Sequence, residues 1–160
     1  MFNLKTNSEY WKEHAWLVFA ISGPVLAIAV VTIFFIFFAG HKGERTIEIN
    51  GESVYVSVAE TESLRELGLG DRQSMADDEG MLFIFPVDGK YPFWMKDMHF
   101  AIDMLWLNDD GTIAYIQPDV VPATYPEVFA PPTASGKYVL ELVGGYCAEH
   151  NVKVGDKVSL

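Results

Sequence analysis

The densest set of chemically useful side chains lies in one stretch, residues 93–103 (Phe-Trp-Met-Lys-Asp-Met-His-Phe-Ala-Ile-Asp). Trp94 offers a planar indole, Met95 a polarisable thioether and Lys96 a cation. Such groups can stack on and hydrogen-bond a small polar ligand such as a sugar. The same residues could instead be structural, with Trp94 and Met95 in the core and Lys96 paired with an acid. We predict a ligand-binding surface here and leave the structural interpretation open.

Asp97, His99 and Asp103 raise the question of a metal site, because imidazole and carboxylate groups can bind zinc or iron. If this stretch is a straight strand, roughly 20 Å separates the first residue from the last, which is too far for one ion. The chain also has no phosphate-binding loop, no dinucleotide-binding loop and no His-x-x-x-His spacing. We therefore predict no metal site and no cofactor.

Asp103 and Glu141 are the candidates for an enzymatic pair. Both lie in apolar stretches, where burial raises a carboxyl pKa toward the range used in general acid–base catalysis. Arg72 or Lys96 could then position a substrate. The same burial suits a structural ion pair between one of the two carboxylates and Arg72 or Lys96. We favour the structural pair, so catalysis by this chain stays an open alternative.

Gly144 and Gly145 precede the single cysteine, Cys147, and we include both glycines in the predicted ligand-binding region, together with Arg72 and Asp103. A cysteine at a helix start can be a nucleophile, since the helix N-terminus favours the thiolate. It would need a base, and only His150 is close along the chain. We predict instead that Cys147 is a small buried hydrophobic residue. One cysteine also excludes an intramolecular disulfide.

The charge balance is strongly acidic: 22 Asp and Glu residues against 11 Lys and Arg give a net charge of −11. A general nucleic-acid binder needs clustered Lys and Arg to displace counterions from phosphates, so we predict no nucleic-acid partner. Beyond residue 45 the balance is −12, from 7 basic and 19 acidic residues. Anionic lipid headgroups repel such a surface, and its partners should be neutral or cationic.

Residues 15–40 contain no charged side chain and consist mostly of Ile, Leu, Val, Phe and Ala. About 20 helical residues cross a bilayer core, so we predict an uncleaved transmembrane helix here, kinked at Gly23-Pro24. A cleaved signal peptide is the alternative, but its apolar core is shorter, about 7–15 residues. Two lysines before the run balance one lysine and one arginine after it, so charge alone does not orient the helix.

Short strands and little helix follow the apolar run. Asn50-Gly51 joins two β-prone runs and is typical of a hairpin turn, as is Asn-Asp-Asp-Gly at residues 108–111. Residues 63–66 (Ser-Leu-Arg-Glu) form a capping box, which predicts a short helix that ends at Gly68 or Gly70. This pattern favours a sheet built from hairpins.

Proline marks two further boundaries. The apolar strand at residues 81–85 should end at Pro86, which cannot donate to a sheet ladder. Residues 118–136 hold five of the eight prolines, which predicts an extended connection packed on the domain instead of a strand. Strands are also expected at residues 137–143 and 158–160, with a helical turn between them.

Several sequence blocks follow one another in an order that is similar to a known family. They include Gly80-Met81-Leu82-Phe83 and Phe93-Trp94-Met95-Lys96, with further matching blocks at residues 65–69, 72, 102–106, 121–122, 138–142 and 154–156. On these blocks, roughly residues 53–160 resemble the family called domain of unknown function 192. The resemblance implies a compact, β-rich α+β domain, often exported behind a signal or an anchor, whose activity is unassigned.

We therefore divide the chain into an N-terminal cytoplasmic segment (1–14), a transmembrane helix (15–40), a linker with the first strand (41–52) and a domain (53–160). The predicted fold class is α+β, with mostly antiparallel short strands and one or two short helices behind a single membrane span. Because members of the resembled family are exported, we place the domain outside the plasma membrane. We expect it to bind a small polar ligand, a glycan or an envelope protein. A tethered hydrolase using the two buried carboxyls, or an interaction subunit of a membrane complex, are the alternatives.

Overall fold

The computed structural model describes residues 44–160, which form a β-rich domain. The cytoplasmic segment and the transmembrane helix predicted for residues 1–14 and 15–40 lie outside the described residues. None of the helices within residues 44–160 has the length and apolar character that a bilayer crossing requires.

Nine strands and three short helical segments make up the domain. The strands are β1 (Glu44–Ile49), β2 (Glu52–Ala59), β3 (Glu79–Gly89), β4 (Phe93–Trp94), β5 (Ile102–Leu107), β6 (Ile113–Val120), β7 (Val128–Phe129), β8 (Gly136–Val143) and β9 (Val158–Ser159). The helical segments are α1 (Glu62–Leu67), a 3-10 turn (Pro122–Thr124) and α2 (Tyr146–Glu149). Seven strands form one sheet in the order β6-β5-β8-β3-β2-β1-β9, and β4 pairs with β7 in a second, small sheet. Only β2 and β3 pair in parallel, which confirms a mostly antiparallel domain with few short helices.

Both predicted hairpins are present. Asn50 and Gly51 have φ angles of 52° and 87°, the left-handed pair that a type I′ turn requires between β1 and β2. Between β5 and β6, Gly111 has a φ of 81° and donates its N–H to the Asn108 carbonyl. A Cβ at Gly111 would clash with the Val158 carbonyl oxygen, so glycine is required there on two grounds, its positive φ and this close approach.

The helix start was predicted at the wrong residue. Thr61 caps α1, since the Leu64 N–H donates to the Thr61 hydroxyl at 3.3 Å, whereas the capping box had pointed to Ser63. A threonine two residues earlier offers the same hydroxyl chemistry, and α1 begins at Glu62. The predicted stop is confirmed, because Gly68 forms the C-cap with a φ of 55°.

Proline does not end strands where the sequence suggested. Strand β3 continues through Pro86 to Gly89, and its pairing with β8 shifts register between Ile84 and Gly89, so the missing donor falls in an irregular part of the ladder. The proline-rich connection also contributes strand residues. Pro118 lies inside β6, and β7 pairs with β4 in the second sheet.

The large sheet carries a hydrophobic core on each face. We call the face with Leu105, Leu107 and Leu140 the inner face, and the face with Met104 and Trp106 the outer face. The two edges of the sheet approach each other, since Lys157 just before β9 forms a bridge with Thr112 just before β6. The sheet thus curls around the inner core. The outer core is covered by the segments that follow β2 and β3.

Candidate functional site

A groove of about 980 Å³ runs over the outer face of the sheet. One wall is α1 with the loop at residues 68–71, and the other is the segment at residues 91–98. Phe83 of β3 and Glu141 of β8 reach it from the sheet. A volume of this size matches the upper range of small-molecule sites. The groove is therefore the candidate site among the described residues.

The α1 wall is fixed by Arg65. Its guanidinium donates to the Glu60 carbonyl at 2.7 Å and to the Ile84 carbonyl at 3.0 Å, and it lies 5.2 Å above the Phe85 ring. These contacts tie the helix to β3 through the two N–H groups of Nη1. The exposed carboxylates of Glu62 and Glu66 are the other charged groups that this helix brings to the groove.

Aromatic rings build the opposite wall. Phe93 makes edge-to-face contacts with Phe83 at 4.9 Å and with Trp106 at 5.9 Å, between ring centroids. Trp94 and Lys96 both line the groove and both are exposed, Trp94 by 53%. Met95 between them is only 1% exposed and packs in the outer core. The ligand-surface interpretation therefore fits the positions of Trp94 and Lys96, whereas Met95 is a core residue.

Glu141 is the unusual group of the groove. It is 4% exposed, lines the groove and accepts no hydrogen bond from any described residue. Burial raises its pKa to about 8, and the positive charge of Arg72 lowers it by a smaller amount. At neutral pH the carboxyl is therefore mostly protonated, so it presents both an O–H donor and an acceptor to the groove.

Arg72 reaches the same face of the sheet without lining the groove. Its Nη2 donates to the Ser57 hydroxyl at 3.0 Å. Ser57 on β2 pairs with Met81 on β3, and Met81 pairs with Glu141 on β8, so the three side chains form one row across the strands. Arg72 is thus close enough to act on Glu141 through charge, but the predicted ion pair between them is not formed.

Asp103 has a different environment. It is fully buried, and its carboxylate accepts three backbone N–H bonds, from Asp119 at 2.8 Å, Gly145 at 3.1 Å and Cys147 at 2.8 Å. These bonds join the end of β6 to the start of α2. The predicted ion pair from Arg72 or Lys96 to Asp103 is wrong, because backbone amides take that place. Lys96 is exposed instead, and its Nζ lies 4.0 Å from Oδ2 of the exposed Asp97.

The two buried carboxyls do not form a pair. Strand β5 places Asp103 opposite Leu142 and Met104 opposite Glu141. Neighbouring residues of a strand point to opposite faces, so Asp103 points to the inner face and Glu141 to the outer face. The expected acid–base pair is therefore divided by the sheet itself.

Gly144 and Gly145 lie away from the groove. The Gly144 N–H donates to the Ala101 carbonyl at 2.8 Å, and a Cβ on Gly144 would meet the Ala101 Cβ at 2.8 Å. Gly145 has a φ of 91° and donates to Asp103. Cys147 is buried, and burial together with Asp103 raises the pKa of its thiol. The glycines thus have packing and turn roles, which the prediction of a ligand site did not include.

The comparison with protein families identifies the domain. The family described as Uncharacterized ACR, DUF192, matches residues 45–160. The chain belongs to the DUF192 family. The comparison with curated proteins gave no match.

Two crystal structures resemble the DUF192 domain. A protein from Sinorhizobium meliloti 1021, described as a "putative transcription regulator", is 32% identical with a TM-score of 0.67, over 72% of this chain and 92% of its own. A protein of unknown function from Novosphingobium aromaticivorans DSM 12444 is 25% identical with a TM-score of 0.69, over 73% and 85%. Both support the fold described above.

The α1 wall of the DUF192 groove was not foreseen from the sequence. Nothing local shows that residues 62–71 lie opposite residues 91–98, because the contact joins segments about 30 residues apart. One signal was available in the sequence. Glu62 and Glu66 put like charges four residues apart on a short helix, an arrangement that weakens the helix and so points to a role outside helix stability. Within residues 44–160 no group of three or more His, Cys, Asp or Glu side chains is arranged to hold a metal ion.

Proposed function

We propose that this DUF192 domain binds a small polar ligand in the groove and acts as an accessory module. The observation that carries the proposal is the Glu141 carboxyl, which is buried, lines the groove and has no hydrogen-bond partner among the described residues. Within residues 44–160 the fully enclosed side-chain polar atom without a partner is the Tyr146 hydroxyl, so the Glu141 oxygens keep contact with the open groove, where a bonding group can reach them. A ligand in the groove would supply that partner.

The groove also has the second property of a ligand site, apolar surface beside the polar group. Phe83, Phe93 and Trp94 contribute ring faces and edges, and Trp94 is open to solvent. A ligand with one flat or aliphatic side and one hydrogen-bonding end would contact both. Sugars and small amphipathic compounds have this shape.

We also propose that residues 15–40 anchor the chain in the plasma membrane, with residues 1–14 in the cytoplasm and the domain outside. The support is the 26-residue run without a charged side chain, which is long enough to cross a bilayer. A balance of −12 beyond residue 45 suits a domain that stands away from anionic headgroups. A tethered domain of this kind would present the groove to ligands, glycans or proteins of the envelope.

Two other functions have less support. The acidic balance gives no surface for nucleic acid, so the description of the Sinorhizobium protein is not extended to this chain. A hydrolase that used Asp103 and Glu141 as a carboxyl pair, as glycoside hydrolases do, would need both groups beside one substrate, and the sheet separates them.

A protein-interaction surface is the second candidate function. Trp94 pairs directly with Val128 across the small sheet, and its ring lies 6.3 Å from that of Tyr125. All three side chains are roughly half exposed, and Val121 nearby is exposed as well. Exposed apolar groups that cluster in this way are typical of contact surfaces for other proteins.

A thermal-shift screen tests the proposed function. Full-length protein in detergent micelles would be melted with saccharides, small alcohols, amines, metal salts and envelope fragments, because a ligand of the native state raises the melting temperature. Trp94→Ala should abolish the shift, while Tyr55→Ala, which removes an exposed ring on β2 outside the groove, should keep it. A panel without any shift, or a shift that Trp94→Ala retains, contradicts the proposal.

A further inference from the structure

Acidic side chains outnumber basic ones around the groove. Six charged side chains line it: Glu62, Arg65, Glu66, Asp71, Lys96 and Asp97. Four are acids and two are cations, so the formal balance is −2, and Lys96 lies beside Asp97, one of the four acids. The groove therefore has a negative rim before any charge on Glu141 is counted.

The end of the groove that lies against the sheet also favours a cation. Glu141 can ionise there, and the only cation shown to act on it is Arg72, which is bonded to Ser57 and does not line the groove. Trp94, Phe93 and Tyr91 present aromatic rings along one wall. Ring faces attract organic cations, more strongly where water is excluded. Carboxylates and aromatic rings around one space are the combination that recognises ammonium groups.

We propose that the ligand of the groove is a small organic cation, a primary ammonium whose N–H groups reach the Glu141 carboxyl while its carbon chain lies against the aromatic wall. This inference rests on the proposed function and names its ligand class. The net negative charge of the rim would draw the cation in, and Glu141 would hold it. A neutral ligand would satisfy Glu141 but would gain nothing from the rim.

Binding of such a cation is coupled to a proton. The free carboxyl is mostly protonated at pH 7, because burial raises its pKa to about 8. The bound ammonium keeps its own three protons, and Glu141 releases its proton to the buffer, so an N–H⁺ to carboxylate hydrogen bond replaces the O–H bond. We expect close to one proton released for each cation bound at pH 7, and little release at pH 9, where the free carboxyl is already ionised.

Calorimetric titration of the full-length protein in micelles tests the inference. The probes are n-butylammonium and butan-1-ol, which match in size and differ in charge, with empty micelles titrated as the blank. Heats measured in buffers of different ionisation enthalpy give the number of protons released. We expect the ammonium to bind at least ~10-fold more tightly than the alcohol, since charge-assisted bonds are stronger than neutral ones.

Two variants locate the effect. Glu141→Gln should weaken ammonium binding ~10-fold or more and abolish proton release, because the amide cannot ionise. Glu149→Gln, which removes an exposed carboxylate on α2 outside the groove, should change neither. Equal affinity for the two probes, release of no proton, unchanged binding by Glu141→Gln, or no heat with either probe would overturn the cation inference. If the alcohol or a saccharide binds in a Trp94-dependent way while the ammonium does not, the proposed function stands and only the ligand class is wrong.

Discussion

The inner and outer faces of the DUF192 sheet each contain one buried carboxyl, and the two have opposite surroundings. Asp103 accepts three backbone N–H bonds and joins β6 to α2. Glu141, one register position away on the neighbouring strand, accepts none from the described residues and lines a groove. Burial alone therefore does not define a site. A satisfied buried carboxylate stabilises the fold, whereas an unsatisfied one beside open space is available to a ligand.

The largest effect is expected from Asp103→Asn, which tests the structural side of this comparison. One carboxylate oxygen becomes an NH₂ group, so at least one of the three backbone donors loses its acceptor and faces another donor. We expect the free energy of unfolding to fall by about 3–5 kcal/mol. Urea denaturation followed by tryptophan fluorescence measures this change. A variant as stable as the native protein would show that the three bonds contribute little.

Glu141→Gln should raise the free energy of unfolding, in contrast to Asp103→Asn, and the size of the increase should depend on pH. The folded pKa of about 8 lies above the ordinary value of 4.5, so the native state holds its proton where the unfolded chain has lost it. Stability from this group is present below pH 4.5 and is lost as the pH rises through 8. The variant should match the native protein at pH 4 and exceed its stability by several kcal/mol at pH 9.

Urea midpoints at the two pH values measure that difference, and Glu149→Gln serves as the control for an exposed carboxylate. A variant that is equally destabilised at both pH values would mean that Glu141 makes a bond in the native state. It would then belong with Asp103 on the structural side of the comparison.

Gly144→Ala should destabilise the domain by about 1–3 kcal/mol, because the new methyl group would lie 2.8 Å from the Ala101 Cβ. The position is near Asp103, on the structural side of the molecule. The double variant with Ala101→Gly removes one of the clashing atoms and should recover part of the loss. Thermal denaturation of the two variants measures both values. Full stability of Gly144→Ala would show that the backbone here moves easily.

The smallest effect concerns Cys147. Its thiol is buried, and burial raises its pKa, so it should behave as an inert core group beside Asp103. Iodoacetamide should alkylate the native protein at least ~100-fold more slowly than the protein unfolded in urea. Mass spectrometry of the single cysteine follows the reaction. Rapid alkylation of the native state would indicate that the inner face opens to solvent.

Local features of this domain could be predicted from the sequence, and long-range ones could not. The turn at Asn50-Gly51 follows from two residues that tolerate positive φ, and the stop at Gly68 follows from one. The cap at Thr61 was misplaced because Ser63 offers the same hydroxyl two residues later. Each of these turns and caps depends on a few neighbouring residues, so an error in predicting its position stays within one helical turn.

The site depends on pairing that no short pattern contains. Asp103 and Glu141 both lie in apolar strands, and only the register of β5 against β8 puts them on opposite faces. A shift by one residue would have placed them on the same face. Trp94 and Lys96 were predicted as ligand contacts and line the groove, whereas Gly144 and Gly145, predicted with them, do not.

The titration of the Glu141 carboxyl shows whether the groove holds a buried acid without a hydrogen-bond partner. Full-length protein labelled with ¹³C at the glutamate carboxyls can be titrated by NMR, with the Glu141 signal assigned by its loss in Glu141→Gln. We predict a midpoint near pH 8 for Glu141. A midpoint near the ordinary value of 4.5 would contradict the account, because it would mean that the carboxyl is hydrated or paired in the folded protein.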